Sequence, residues 1–190
     1  MYTSSNIAGI PQFTKSKLLD IYIRTNESLQ TNVELLQKIP NMVELAQTYF
    51  LSCLNAAIGH NITLHCLSDD NVIYAFCFVQ LKGICNNKPY YKLSSLTVNP
   101  DFRESHYEKK LINNIIERFS PESGCIYGFV PKAFKGASIY FSSLYEHNEL
   151  CSVSDDFPED PTSWLDDNGK IQLPIDVWNC FWYPKRPISQ

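Results

Sequence analysis

The sequence predicts an α/β (α+β) domain, with a central mixed, mostly antiparallel sheet flanked by helices and with helices at the N-terminal end. Three observations predict it. Apolar residues recur at helical spacing from Leu18 to Ile58, then at strand spacing from Ile62 to Val98, and a strand-helix-strand-helix order follows from Leu93 to Glu146. At 190 residues the chain is long enough to bury about 70% of its unfolded surface in one core. The expectation is therefore a single domain over 1–190, with a helical part at 1–60, a core at 61–150, and an acidic loop with C-terminal strands at 151–190.

A polar arm runs to about Thr14. Leu18, Leu19, Ile21, Tyr22 and Ile23 then predict a short helix, and Val33, Leu35, Leu36 and Ile39 a second one before Pro40. From Asn41, a residue suited to capping, Met42, Leu45, Tyr49, Leu51, Leu54 and Ile58 line a longer amphipathic helix that stops at Gly59. The period then changes. Ile62 to Leu67 alternates, Asp69-Asp70-Asn71 turns, Val72 to Leu81 is a long apolar and aromatic run suited to a central strand, and Tyr90 to Val98 supplies a third strand. Asn99-Pro100-Asp101 ends that strand, because proline lacks the amide a central strand needs.

The next helix is the best marked of all. Leu111, Ile112, Ile115, Ile116 and Phe119 form one face at a period of 3.6, while Glu108, Lys109, Lys110, Glu117 and Arg118 take the other, with Asp101 or Ser105 as the expected cap. Cys125 to Val130 reads as a buried strand and Ala137 to Glu146 as a helix. Residues 151–168 are acidic, carry two prolines and lack periodicity, which predicts a surface loop. Ile171 to Leu173 and Val177 to Tyr183 read as short final strands, and the aromatic residues Trp178, Phe181, Trp182 and Tyr183 as core.

Composition narrows the function classes. A net charge of −4 with scattered basic residues gives no electrostatic footprint for nucleic acid, whose phosphates call for clustered Lys and Arg. No apolar run reaches the roughly 18 residues of a spanning helix, so no membrane role is expected. The seven cysteines are odd in number, widely spaced and without a CxxC pair, which reads as reduced core thiols in a cytoplasmic protein. The sequons at Asn26 and Asn61 are short enough to arise by chance. His65 and Cys66 are neighbours in one strand and point to opposite faces, so they make poor joint metal ligands, and no metal is expected. His106-Tyr107-Glu108 fits half of a zinc-deaminase signature, but no P-C-x-x-C follows. A Cys-His nucleophile pair stays open.

The order of elements, with a strand ending in Val98-Asn99-Pro100, resembles that of the GNAT acyltransferases over about Ile62 to Leu150. In that family a loop of the form R/Q-x-x-G-x-G/A follows the fourth strand and cradles the coenzyme A pyrophosphate at a helix N-terminus, where orphan amides and the helix dipole favour an anion. The sequence from Leu96 to Leu111 falls into that register, with Arg103 at its first position and His106 and Glu108 where the family has glycine or alanine. The segment Ser138 to Leu150 resembles the family's N-x-x-A-x-x-L-Y-x-x-x-G-F segment.

The resemblance implies acetyl-CoA as cofactor and an amine as acceptor. It implies Leu96, Val98, Arg103, Ser105, His106, Tyr107, Glu108 and Ser138 as cofactor-binding positions, with the Val98 amide polarising the acyl carbonyl. It implies Tyr145 as the phenol that protonates the leaving thiolate, whereas the residue alone reads equally well as part of an aromatic core face. Two functions follow: an acyl-CoA-dependent N-acyltransferase, or a catalytically inactive GNAT-fold protein acting as a protein-interaction module.

Overall fold

The computed structural model describes residues 1–38, 40–56, 61–69, 72–85, 88–119, 125–131 and 178–183. In chain order these form β1 (Tyr2–Asn6), α1 (Gln12–Gln30), α2 (Val33–Lys38), α3 (Met42–Leu54), β2 (Ile62–Asp69), β3 (Val72–Cys85), β4 (Lys88–Val98), α4 (Tyr107–Phe119), β5 (Cys125–Pro131) and β6 (Trp178–Tyr183). Among the described residues the strands make one sheet in sequence order, β1 to β6. Every pairing is antiparallel except β4 with β5, which is parallel and is bridged by α4. This is the mixed, mostly antiparallel sheet that the sequence predicts.

The polar arm expected at the N-terminal end is in part a strand. Residues Tyr2 to Asn6 pair with β2 from Tyr2↔Leu67 to Asn6↔Thr63. An edge strand is held by its backbone ladder and needs little apolar surface, so the run Thr-Ser-Ser-Asn carries no hydrophobic signal for it. The first helix also extends well beyond Leu18 to Ile23, because the polar residues on either side are adequate helix formers on a solvated face. The third ends earlier than predicted, at Leu54, where the Asn55 amide bonds the Leu51 carbonyl; Asn41 precedes it without making a side-chain cap. Gly59, the predicted helix over 137–146, the acidic loop and the strand at 171–173 lie outside the described residues.

The sheet is covered on both faces. On one, Leu18, Ile21, Tyr22, Phe50, Cys53 and Leu54 pack against Ile62, Leu64, Cys66, Phe76 and Phe78, with Tyr22 stacked on Phe50 at 4.0 Å between ring centres. On the other, Leu111, Ile112 and Ile115 of α4, all fully buried, pack on Leu67, Ala75, Cys77, Val79, Leu93 and Ile126. The apolar stripe of α4 is thus the one the 3.6 period predicts. Cys53, Cys66 and Cys77 are free and buried. Burial raises all three thiols, Cys66 to about 11, so none of them is poised as a thiolate nucleophile.

Candidate active site

The site is built where β4 leaves β5. The β3–β4 register shifts between Phe78↔Ser94 and Phe76↔Thr97, so Cys77 faces both Ser95 and Leu96. Ser95 takes up the extra residue in the left-handed region, at φ 51°. A bulge of this kind bends its strand and increases its twist. The parallel ladder with β5 accordingly runs from Tyr90↔Cys125 only to Leu93↔Gly128, while β5 continues against β6. Among the described residues, a gap in the strand pairing opens beyond Leu93 along the remainder of β4.

Val98 lies on that gap. The Asn99 amide donates to the Tyr74 carbonyl at 2.8 Å, which is a hydrogen-bonded position of the antiparallel ladder. Val98, one residue earlier, therefore turns its N–H and C=O away from β3, towards the side that β5 has left. Its carbonyl accepts the Thr25 hydroxyl at 3.0 Å. Leu96 and Val98 are both partly buried against the α4 side of the sheet.

The turn after β4 is fixed by Asn99. This buried side chain donates to the Ile73 carbonyl at 2.9 Å and accepts the Asp101 amide at 3.2 Å, starting a 3-10 turn over Pro100–Ser105. Arg24 of α1 reaches the same turn, 3.3 Å from the Asp101 carboxylate and 3.5 Å from Asn99 Oδ1. The aromatic rings complete the anchorage. Tyr74 stacks on Tyr107 at 4.6 Å and meets Phe102 edge-on at 5.0 Å. Tyr107 therefore has one side of its half-buried ring packed against the core.

The expected caps of α4 are corrected by this arrangement. Asp101 is engaged by Arg24 and Asn99, Ser105 is exposed, and the residue flanking α4 is His106, whose carbonyl accepts the Lys110 amide at 3.3 Å. His106 is left-handed, at φ 52° and ψ 33°. That is the conformation a glycine supplies freely and other residues adopt at a cost. Its ring is 82% exposed and lies 3.6 Å from the Glu108 carboxylate, which is 22% exposed in the first turn of α4. Arg103 is exposed on the turn.

The structure thus brings Leu96, Val98, Arg103, Ser105, His106, Tyr107 and Glu108 to one strand end and helix start. Ser138 and Tyr145 lie outside the described residues. Sequence reasoning missed Thr25, Asn99, the Ser95 bulge and Gly128. Of these, only Asn99 before Pro100 carried a local signal, that of a turn-forming side chain.

No protein-family model matches the sequence, and no curated protein matches it. Solved structures do. An acetyltransferase of the GNAT family from Staphylococcus aureus Mu50 aligns over 97% of this chain and 100% of its own, at 13% identity and a TM-score of 0.56. The ribosomal-protein-S18-alanine N-acetyltransferase from Escherichia coli aligns over 76% of each chain at 16% identity and 0.51. The PaiA N-acetyltransferase from Thermoplasma acidophilum, solved in complex with coenzyme A, aligns over 82% of this chain and 94% of its own, at 11% identity and 0.50. The chain has the GNAT acetyltransferase fold. Among the described residues no helix is long and apolar enough to cross a membrane.

Proposed function

We propose that this chain is an N-acyltransferase that takes its acyl group from acyl-CoA, acetyl-CoA in the simplest case, and passes it to an amine. The observation that carries the reading is the left-handed His106, between a bulged strand end and a helix start. A left-handed residue at this place suits a pyrophosphate-binding turn, in which the resemblance expects glycine. Coenzyme A fits this backbone: the first-turn amides of α4 and its dipole favour an anion, and Arg103 on the turn adds a cation. The gap beside β4 suits an extended arm that bonds a strand edge, and the Val98 N–H is the donor for the acyl oxygen.

The thioester supplies an activated acyl carbon. The chain's part is to orient it, withdraw charge from its oxygen and return a proton to the departing sulfur. Tyr145 is assigned that last role on its sequence likeness alone; a phenol near pKa 10 protonates a thiolate readily. A cytosolic setting suits the free thiols.

Isothermal titration with acetyl-CoA tests the reading. Micromolar binding that Arg103→Glu weakens supports it. Absence of heat at millimolar ligand overturns it in favour of the inactive interaction module. Glu108 gives a sharper expectation, because its carboxylate shares the helix start with the pyrophosphate. Removing a like charge near the surface is worth about 1 kcal/mol, so Glu108→Ala is expected to tighten coenzyme A roughly fivefold. The gain is expected to shrink at high salt, as screening requires. Equal affinity of the two proteins at low salt would place the carboxylate away from the ligand.

A further inference from the structure

We infer that Thr25 is a positioning residue for the Val98 amide, a role that rests on the acyl-CoA reading above. Thr25 belongs to α1 and has no place in the motif around Arg103. Its hydroxyl lies 2.8 Å from the Ile21 carbonyl and 3.0 Å from the Val98 carbonyl. One hydroxyl proton cannot serve both acceptors fully. Ile21 sits inside α1, where the helix ladder already supplies a backbone amide to its carbonyl. The Val98 carbonyl instead faces away from β3, past the end of the β5 ladder, so the proton matters more there.

The consequence is a clamp. The Val98–Asn99 peptide has its N–H held by the Tyr74 carbonyl at 2.8 Å and its C=O held by Thr25. The Asn99 side chain is pinned in turn by Ile73, Asp101 and Arg24. With this peptide fixed at both ends, the preceding N–H, that of Val98, is held in one direction at the gap. A donor fixed before the substrate arrives needs no reorganisation when charge develops on the acyl oxygen, which is where electrostatic catalysis gains most. Thr25→Val keeps the shape of the side chain and frees one end of the clamp.

The test uses the full chain and [1-13C]acetyl-CoA. The infrared band of the bound thioester carbonyl reads the hydrogen bond from Val98 directly, without any acceptor amine. In the native protein the band is expected below its position in free acetyl-CoA. In Thr25→Val more than half of that shift is expected to vanish while coenzyme A affinity stays within about twofold, and Thr25→Ser is expected to restore it. Thr25→Ala serves as a second probe should valine disturb the helix. A full shift retained in folded Thr25→Val and Thr25→Ala overturns the role and leaves the acyl-CoA reading standing. Failure of the native protein to bind acetyl-CoA overturns both.

Discussion

Gly128→Val is expected to destabilise the protein by about 2–3 kcal/mol, the upper part of the range for forcing extra carbons into a packed interior. Gly128 is the last residue of β5 paired with β4, opposite Leu93. A Cβ on Gly128 would lie 2.9 Å from the Leu93 carbonyl oxygen, a backbone atom that cannot move without breaking the parallel ladder. The constraint is steric closeness. Gly128→Ala is expected to show a smaller loss of the same kind, and Gly9→Ala, with nothing within 4 Å of the added carbon, to change stability by less than about 0.5 kcal/mol. Urea unfolding of the three variants checks this. Equal midpoints for Gly9→Ala and Gly128→Val would mean that the two strands do not approach each other as closely as the geometry states.

Gly128 is also the last residue of the β4–β5 ladder, so on the acyl-CoA reading proposed above its variants are expected to weaken acyl-CoA binding alongside stability. The bulge at Ser95 and the close approach at Gly128 act on successive stretches of β4. One fastens β4 to β5 up to Leu93; the other bends β4 away just afterwards.

What the sequence made legible divides along physical lines. The apolar stripe of α4 and the buried runs of β2, β3 and β4 were readable, since burial at a fixed period is a signal carried by each residue's own type. β1 was not. It is held by its backbone ladder to β2, which leaves no mark on side-chain chemistry, and by Tyr2, whose partner His65 lies 63 positions away. The site divides in the same way. Arg103, His106 and Glu108 could be placed by register within one segment, whereas Thr25 meets Val98 across 73 positions, a contact that only the tertiary fold creates.

The left-handed His106 of the turn has a similar explanation. A left-handed residue other than glycine costs on the order of 1–2 kcal/mol. Two aromatic contacts, Tyr74 with Tyr107 and Tyr74 with Phe102, each contribute about 0.5–1.5 kcal/mol beyond their burial. They bracket His106 in sequence and offset that cost, so the turn keeps its shape with a histidine in it. The tyrosine at position 74 is the extra residue of a second bulge, where the β2–β3 register shifts between Leu67↔Ala75 and Ser68↔Ile73.

Acidification is expected to weaken the fold through His65 by about 3 kcal/mol. This ring is fully buried between β1 and α4, with Phe119 edge-on at 5.5 Å. It is held in the neutral form. Thr63 donates its hydroxyl to the Val79 carbonyl at 3.1 Å, so it accepts from His65 Nε2–H at 2.8 Å, and Nδ1 accepts the Tyr2 hydroxyl at 2.6 Å. Burial, with a lesser push from the Arg118 charge, lowers the imidazole from 6.5 to about 4. Burial also lifts the Tyr2 phenol to about 12, which keeps it a donor throughout.

The sign follows from which state takes up the proton first. As pH falls below 6.5 the unfolded chain binds it while the folded protein does not, so stability is lost at about 1.4 kcal/mol per pH unit until the folded ring also titrates near 4. Above 6.5 the contribution is complete. Carboxylates titrate in the same range, and His65→Gln separates them, because every other group is shared between the two proteins. Urea midpoints measured from pH 7.5 to 4.5 are expected to fall more steeply for the native protein than for the variant, with β1 amides losing hydrogen-exchange protection first. Parallel profiles would mean that His65 takes up its proton at the same pH in the folded protein as in the unfolded chain, and that the Tyr2–His65–Thr63 chain does not hold the edge strand in the way its geometry indicates.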